Sequence, residues 1–169
     1  DVQPNEESSR VEWTSPTAIL RRETVPDLWR SYRAVAPTVE SVAADATHGS
    51  AYVSLRALEV LRDAAGEADV EARELAPVAD VARALLDARP GMAALGNRVN
   101  RAVAGADSPA AVEAASVEGI ERADAADEAA SAEAAALIDG GTVLTLSRSG
   151  TVLDALERGA SAAIVAESR

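Results

Sequence analysis

Three stretches carry side chains whose types and spacing suit chemistry. The first is Ser147, Arg148, Ser149 and Gly150, two hydroxyls, a guanidinium and a glycine set between a β-branched apolar run and a helical pattern. A helix starting there aims free N–H groups and the positive end of its dipole into the loop, which suits a phosphate or carboxylate. The same residues also suit a local task, with Ser149 capping the helix and Gly150 permitting the turn. The second stretch is Asp45, Thr47, His48, Gly49 and Ser50, where a break ahead of a helix turns backbone N–H groups towards an anion. Its plain alternative is a Thr47 or Ser50 cap beside a surface imidazole at His48. The third is Arg89, Pro90, Gly91 and Met92, with Asn97, Asn100 and Arg101 downstream. Arg89 suits the negative end of a helix dipole, while Asn97 and Arg101, four apart, share a helix face as an exposed pair or a pocket wall.

Composition narrows what these stretches do. In 169 residues the 16 basic side chains are all arginine and stand against 28 acidic ones, for a formal charge of −12. The resulting field repels phosphate, which argues against nonspecific nucleic-acid or anionic-membrane binding. Cysteine is absent, so disulfides, thiolate catalysis and cysteine-ligated metals are excluded within this stretch; a single histidine excludes a His-rich metal centre. No metal and no cofactor is expected. No apolar run approaches the about 20 residues of a membrane helix, and no signal peptide opens the chain, so a cytoplasmic protein is expected. The acidic, lysine-free, alanine-rich composition is of the haloarchaeal type: near molar salt the Debye length is about 3 Å and dense surface carboxylates repel one another little. Individual arginines and the histidine, as departures from that background, carry the functional information.

The elements that position these stretches are mostly helical. Within residues 1–38, the first 23 or so are polar and mixed, with a short strand candidate from Val11 to Thr14, and a helix follows from Thr24 with Leu28, Tyr32 and Val35 on one face, stopped by Pro37. Trp13 and Trp29 call for burial that so few residues do not supply. From residue 39 to 139 the pattern is helical throughout. A first helix runs from Val39 to about Ala65, with Leu55, Leu58 and Leu61 inward and Gly49 as a break. Val78, Val81, Ala82 and Leu85 mark the next, and Met92, Leu95, Val99 and Val103 a third. Ser108 and Pro109 start a fourth helix reaching Gly140 and Gly141. Between Ile120 and Leu137 it carries no apolar side chain larger than alanine, so its middle is expected to be solvated and to depend on neighbours for order.

Residues 140–169 change pattern to strand, loop, helix, strand, the unit of a parallel sheet. One crossover helix cannot cover both faces of such a sheet, so more strands are expected after Arg169 or from a partner, and the chain is read as truncated. The fold class expected is a mainly α-helical domain followed by the incomplete start of an α/β parallel sheet.

Taken in order, four motifs carry a family resemblance. They are Thr47, His48, Gly49, Ser50 and Ala51; Arg89 and Pro90 with Met92, Leu95, Asn97 and Val99; Gly141, Thr142, Val143, Leu144 and Thr145 with Ser147 and Ser149; and Ala166, Glu167, Ser168 and Arg169. Together they resemble the alpha/beta/delta family of translation initiation factor 2B, which also contains ribose-1,5-bisphosphate isomerase and methylthioribose-1-phosphate isomerase. The resemblance covers roughly residues 39–169. It implies an N-terminal helical domain, a Rossmann-like domain that is here incomplete, and assembly with copies of the chain or related subunits. It also implies a phosphorylated sugar or nucleotide ligand, with His48, Gly49 and Ser50 at the phosphate-gripping turn and Arg89 as the arginine of the Arg-Pro pair. In the isomerases a catalytic cysteine follows the first Rossmann strand, and that position here looks like Ser147, a far poorer acid or base than a thiol near neutral pH. The partner catalytic aspartate would lie beyond Arg169.

Val11, Glu12, Trp13 and Pro16, followed by Thr24, Val25, Pro26, Leu28 and Trp29, are similar to the C-terminal end of Nudix hydrolases, without the glutamate-rich metal-binding box. Three functions are therefore expected in order: a regulatory or nucleotide/sugar-phosphate-binding module; a sugar-phosphate isomerase converting an aldose to a ketose phosphate; and a scaffold for oligomerisation.

Overall fold

A computed structural model describes residues 12–146 and 149–166. A short 3₁₀ helix, Pro16–Arg21, leads to seven α-helices and two strands: α1 Leu28–Arg33, α2 Val39–Ala44, α3 Ser50–Val70, α4 Ala76–Ala88, α5 Ala93–Val103, α6 Pro109–Ile138, β1 Thr142–Leu146, α7 Gly150–Gly159 and β2 Ala162–Ala166. The architecture is a helical domain followed by the first β-α-β crossover of a parallel sheet. No described helix is long and apolar enough to cross a membrane.

The long α3 is the axis of the helical domain. Val53, Ala57, Leu58, Val60, Leu61, Ala65 and Ala68 are all buried along it, against Val78, Ala82 and Leu85 of α4, Leu95 and Val99 of α5, and Val112 of α6. The expected inner residues Leu58 and Leu61 are in this core; Leu55 is half-buried and faces a cleft described below. The break expected at Gly49 is real, separating α2 from α3, but α3 continues past Ala65 to Val70. Its end is made by Ala72 in the left-handed region (φ 52°), with the Arg73 N–H bonded to the Ala68 carbonyl at 2.8 Å. That end lacks the usual glycine, so no sequence signal marks it.

The N-terminal segment departs most from expectation. Glu12, Trp13 and Thr14 form no strand, and Val11 lies outside the described residues. With no strand beside it, Trp13 is 89 % exposed rather than buried. Helix α1 starts at Leu28, later than Thr24, because Asp27 takes a left-handed conformation (φ 61°), and Val35 is exposed.

What holds this segment is a polar clasp on α3. Thr17 is buried over Gly66, where an added Cβ would lie 2.6 Å from the Thr17 Cγ2. Arg21 donates to both carboxylate oxygens of Glu113 at 2.9 and 2.6 Å and to Asp69 at 2.7 Å. Trp29 Nε1 donates to Glu67 at 2.9 Å, and its ring packs 5.1 Å from that of Tyr32. Buried Asp63 accepts from Arg62 and, at 2.8 Å, from the Tyr32 hydroxyl, which in turn accepts from Arg62 at 2.7 Å. Burial, with the hydrogen bond to Asp63, pushes the Tyr32 phenol above its ordinary range.

Helix α6 begins as expected, Ser108 accepting from the Ala111 N–H at 3.3 Å with Pro109 in the first turn. Its first half packs on the core through Val112, Ser116 and Ile120, and its second half carries α7. The two helices meet so closely at Gly159 that an added Cβ would lie 2.4 Å from the Ala135 carbonyl oxygen. Gly159→Ala is therefore expected to force backbone apart and cost about 1–3 kcal/mol. Gly91→Ala, where nothing lies within 4 Å, is expected to stay within about 0.5 kcal/mol. Thermal melts of the two variants check the difference.

β1 and β2 pair in parallel register, Thr142 with Ala162 through Leu146 with Ala166. Leu144, Leu146 and Ile164 are exposed on one face of the sheet, and Val165 of β2 is exposed on the other.

Candidate functional site

The loop between α2 and α3 is shaped by Asp45. Its Oδ1 accepts from the N–H groups of Thr47 at 3.0 Å and His48 at 2.9 Å, and its Oδ2 lies 2.8 Å from His48 Nδ1. These bonds, the His48 N–H first, hold the Asp45 carboxyl well below the usual carboxylate range. The His48 ring stacks on Tyr52 with centroids 4.1 Å apart, and the Arg56 guanidinium lies 5.1 Å from the Tyr52 ring centre.

Neither Thr47 nor Ser50 caps α3. The N-cap is Gly49, which has no side chain to offer, so the N–H groups of the first turn stay open. The same holds at α7, where Ser149 occupies the N-cap position without a capping hydrogen bond from its hydroxyl. The local capping roles that these residue types suggest are thus not taken up in either place.

Both open N-termini border one cleft of about 590 Å³. Gly49, Ser50 and Ala51 form one wall, Ser149, Gly150 and Thr151 the opposite one, and α6 supplies the floor with Asp124 and Asp127. Arg98 of α5 completes it, its guanidinium donating to Ser54 Oγ at 2.7 Å and the Ala51 carbonyl at 3.2 Å. Burial lowers the Arg98 pKa, and the carboxylates of Asp124 and Asp127 partly oppose that shift. Thr151 Oγ1 donates to Asp127 Oδ1, tying α7 to α6 at the mouth. An adjoining crevice sets Thr47 and His48 across from Gly150 and Leu153.

Chemically, the cleft offers two helix N-termini whose N-cap residues make no side-chain cap, one guanidinium and two carboxylates. The first two attract an anion. The carboxylates accept from hydroxyl groups. Among the described residues no three acidic or imidazole side chains converge as a metal-ligand set.

The fold therefore brings together Gly49, Ser50 and Ser149, more than ninety positions apart in the chain, with His48 at the rim. Arg89 stands elsewhere. At the end of α4 its Nε donates to the Val42 carbonyl at 3.0 Å and its Nη2 to the Asp45 carbonyl, so it clasps the end of α2 and braces the loop from behind. It lines a separate groove with Ser50, Pro90 and Met92. Ser147 and Arg148 lie outside the described residues. Sequence reasoning missed Arg98, Asp124, Asp127 and Thr151. Helical spacing points to Asn97 and Arg101 on α5; Arg98 is about 100° of helix rotation from Asn97 and about 60° from Arg101, and only packing shows which of them turns into the cleft.

Comparison with known proteins adds to this arrangement. Residues 46–169, which include α3 to β2 and every wall of the cleft, match the Initiation factor 2 subunit family. No curated protein and no solved structure gives a significant match. With most of its length matched, and with a helical domain leading into a parallel β-α-β unit in the order its motifs imply, the chain belongs to the Initiation factor 2 subunit family.

Proposed function

We propose that the chain is an initiation factor 2B-like ligand-binding module that takes a phosphorylated sugar or nucleotide in the cleft between its helical domain, residues 39–139, and its α/β unit, residues 140–169. The observation that carries the reading is the convergence of two uncapped helix N-termini on one cleft that also holds Arg98, Asp124 and Asp127. A phosphate is placed against the amides of Ser50, Gly150 and Thr151 and the Arg98 guanidinium, and ligand hydroxyls donate to Asp124 and Asp127. An anion without hydroxyl groups would leave those two carboxylates as plain repulsion. In this reading His48 borders the bound ligand and Arg89 keeps the phosphate-facing loop in place. The reading also assigns Ser147 and Arg148 to ligand binding on their residue types alone, and the module assembles with copies of itself or related subunits.

Ser147 favours binding over isomerisation, because a hydroxyl replaces the thiol that the family's isomerases use. Titrating ribose 1,5-bisphosphate and AMP while following thermal unfolding tests the reading: a ligand at 100 times its Kd adds about 2.7 kcal/mol to stability. No shift with either compound well above micromolar concentration would overturn it, and turnover to a ketose phosphate would promote the isomerase instead. Ser50→Asp sharpens the test. A carboxylate in the first turn of α3 is favoured by the helix dipole by about 0.3–1 kcal/mol, yet it occupies the place of the phosphate. The variant is expected to melt no lower than the parent and to lose the ligand-induced shift.

A further inference from the structure

A second hollow lies on the other side of Arg98, between α5 and α6. Its volume is about 310 Å³, and it is lined by Arg98, Arg101 and Arg122 over a floor that includes Leu58, Ala102 and Gly119. We infer that this hollow is an anion-binding site distinct from the cleft, for a compact dianion, phosphate or carboxylate, that carries an apolar body.

Charge carries the argument first. Acidic residues outnumber basic ones 28 to 16, and many of the described arginines are met by a carboxylate, among them Arg21, Arg33, Arg56, Arg62, Arg73 and Arg83. The hollow gathers arginines that are not held in this way. Arg101 makes no ion pair or side-chain hydrogen bond to any described residue, and the hydrogen bonds of Arg98 go to a hydroxyl and a carbonyl, both neutral. Arg122 pairs only with Glu118 one turn away, and both side chains are at least half exposed. Such a pair is worth little and yields readily to a better acceptor. Three arginines thus line one concavity: Arg101 has no carboxylate partner among the described residues, Arg122 has an exposed one, and Arg98 has Asp124 and Asp127 within electrostatic reach but no ion pair with either.

The floor carries the argument second. Between the arginines the wall is hydrocarbon from leucine and alanine, with Gly119 at the point where an added Cβ would lie 3.0 Å from Leu58 Cδ1. A glycine inside a helix costs about 1 kcal/mol relative to alanine, and here it makes room for the Leu58 side chain that forms part of the floor. Guanidinium forks bind the oxygens of a phosphate or carboxylate in pairs, and an apolar floor retains a hydrocarbon body. The cleft shares Arg98 but adds Asp124 and Asp127, which suit a hydroxylated ligand rather than an apolar one.

Arg101 and Arg122 line the hollow and not the cleft, whereas Ser50 and Thr151 line the cleft and not the hollow. This separates the two sites experimentally. In the Ser50→Asp protein, phenyl phosphate is expected to bind at least tenfold more tightly than inorganic phosphate by titration calorimetry. Adding Arg101→Gln and Arg122→Gln is expected to weaken phenyl phosphate at least tenfold with an unchanged melting temperature. The inference is overturned if the Ser50→Asp protein does not bind phenyl phosphate at millimolar concentration. Equal affinity for the two probes, or phenyl phosphate binding that the arginine variants leave intact, would overturn it too. Because the cleft is already blocked in that protein, none of these outcomes depends on the ligand proposed for it.

Discussion

Asp63→Ala is expected to destabilise the protein by about 3–5 kcal/mol, the cost of leaving one partner of a buried ion pair uncompensated. Asp63 is fully buried, and its carboxylate is the common acceptor for Arg62, Tyr32 and, at 3.5 Å, Arg33. Removing it leaves a guanidinium with only 8 % side-chain exposure facing a phenol and apolar surface. For a chain of this size each kcal/mol moves the melting temperature by about 2–4 °C, so a fall of roughly 10 °C is expected. Asp80→Ala is the control, since the Arg83–Asp80 pair is two-thirds exposed on both sides and is expected to change stability by no more than about 1 kcal/mol. Equal melting temperatures for the two variants would show that the Asp63 network does not close off the clasp. Replacing Arg62 and Asp63 together by apolar residues of similar volume is expected to restore much of the loss, because the penalty lies in the orphaned charge rather than in a large net gain from the pair.

Leu61→Ala is expected to cost about 2–5 kcal/mol, through lost burial and the cavity left behind. Leu61 is fully buried at the centre of the only long helix that packs against α4, α5 and α6 among the described residues. Trp13→Ala removes far more side-chain volume yet is expected to change stability by less than about 0.5 kcal/mol, because the ring is 89 % exposed. Urea unfolding of both variants checks the contrast; a Trp13→Ala midpoint that falls as far as that of Leu61→Ala would refute this placement of the core. The pair matters because residue type alone ranks them the other way round.

The clasp and the cleft are connected through α3. The C-terminal half of this helix holds the N-terminal segment through Asp63, Gly66, Glu67 and Asp69, while its N-terminus forms a wall of the cleft. Alpha6 is used in the same divided way: Glu113 near its start receives Arg21, and Asp124 and Asp127 near its middle line the cleft. The solvated middle expected for α6 is therefore the stretch on which the candidate site rests, and its small side chains leave the room that a ligand occupies. Alanine spacing conveys that no large side chain fills the space, but not which neighbour faces it.

Short-range physics was written plainly in the sequence. Ser108 and Pro109 started a helix, Gly140 and Gly141 followed its end, the spacing of Val78, Ala82 and Leu85 marked a buried stripe, and the β-branched runs around residues 142–146 and 162–166 paired as parallel strands. The loops at His48–Ser50 and Ser149–Gly150 were also recognisable, because a hydroxyl or glycine ahead of a helix has few local interpretations. Whether those loops met each other, whether Ser149 capped its helix, which of Arg98 and Arg101 entered the cleft, and whether a tryptophan was buried were decided by contacts between residues far apart in the chain. Hydrophobic periodicity and the helix start at Ser108 and Pro109 depend on a few neighbouring residues, so the sequence by itself determines them; the shared cleft, the orientation of Arg89 and the clasp on Asp63 depend on how helices pack, and only the tertiary structure decides that.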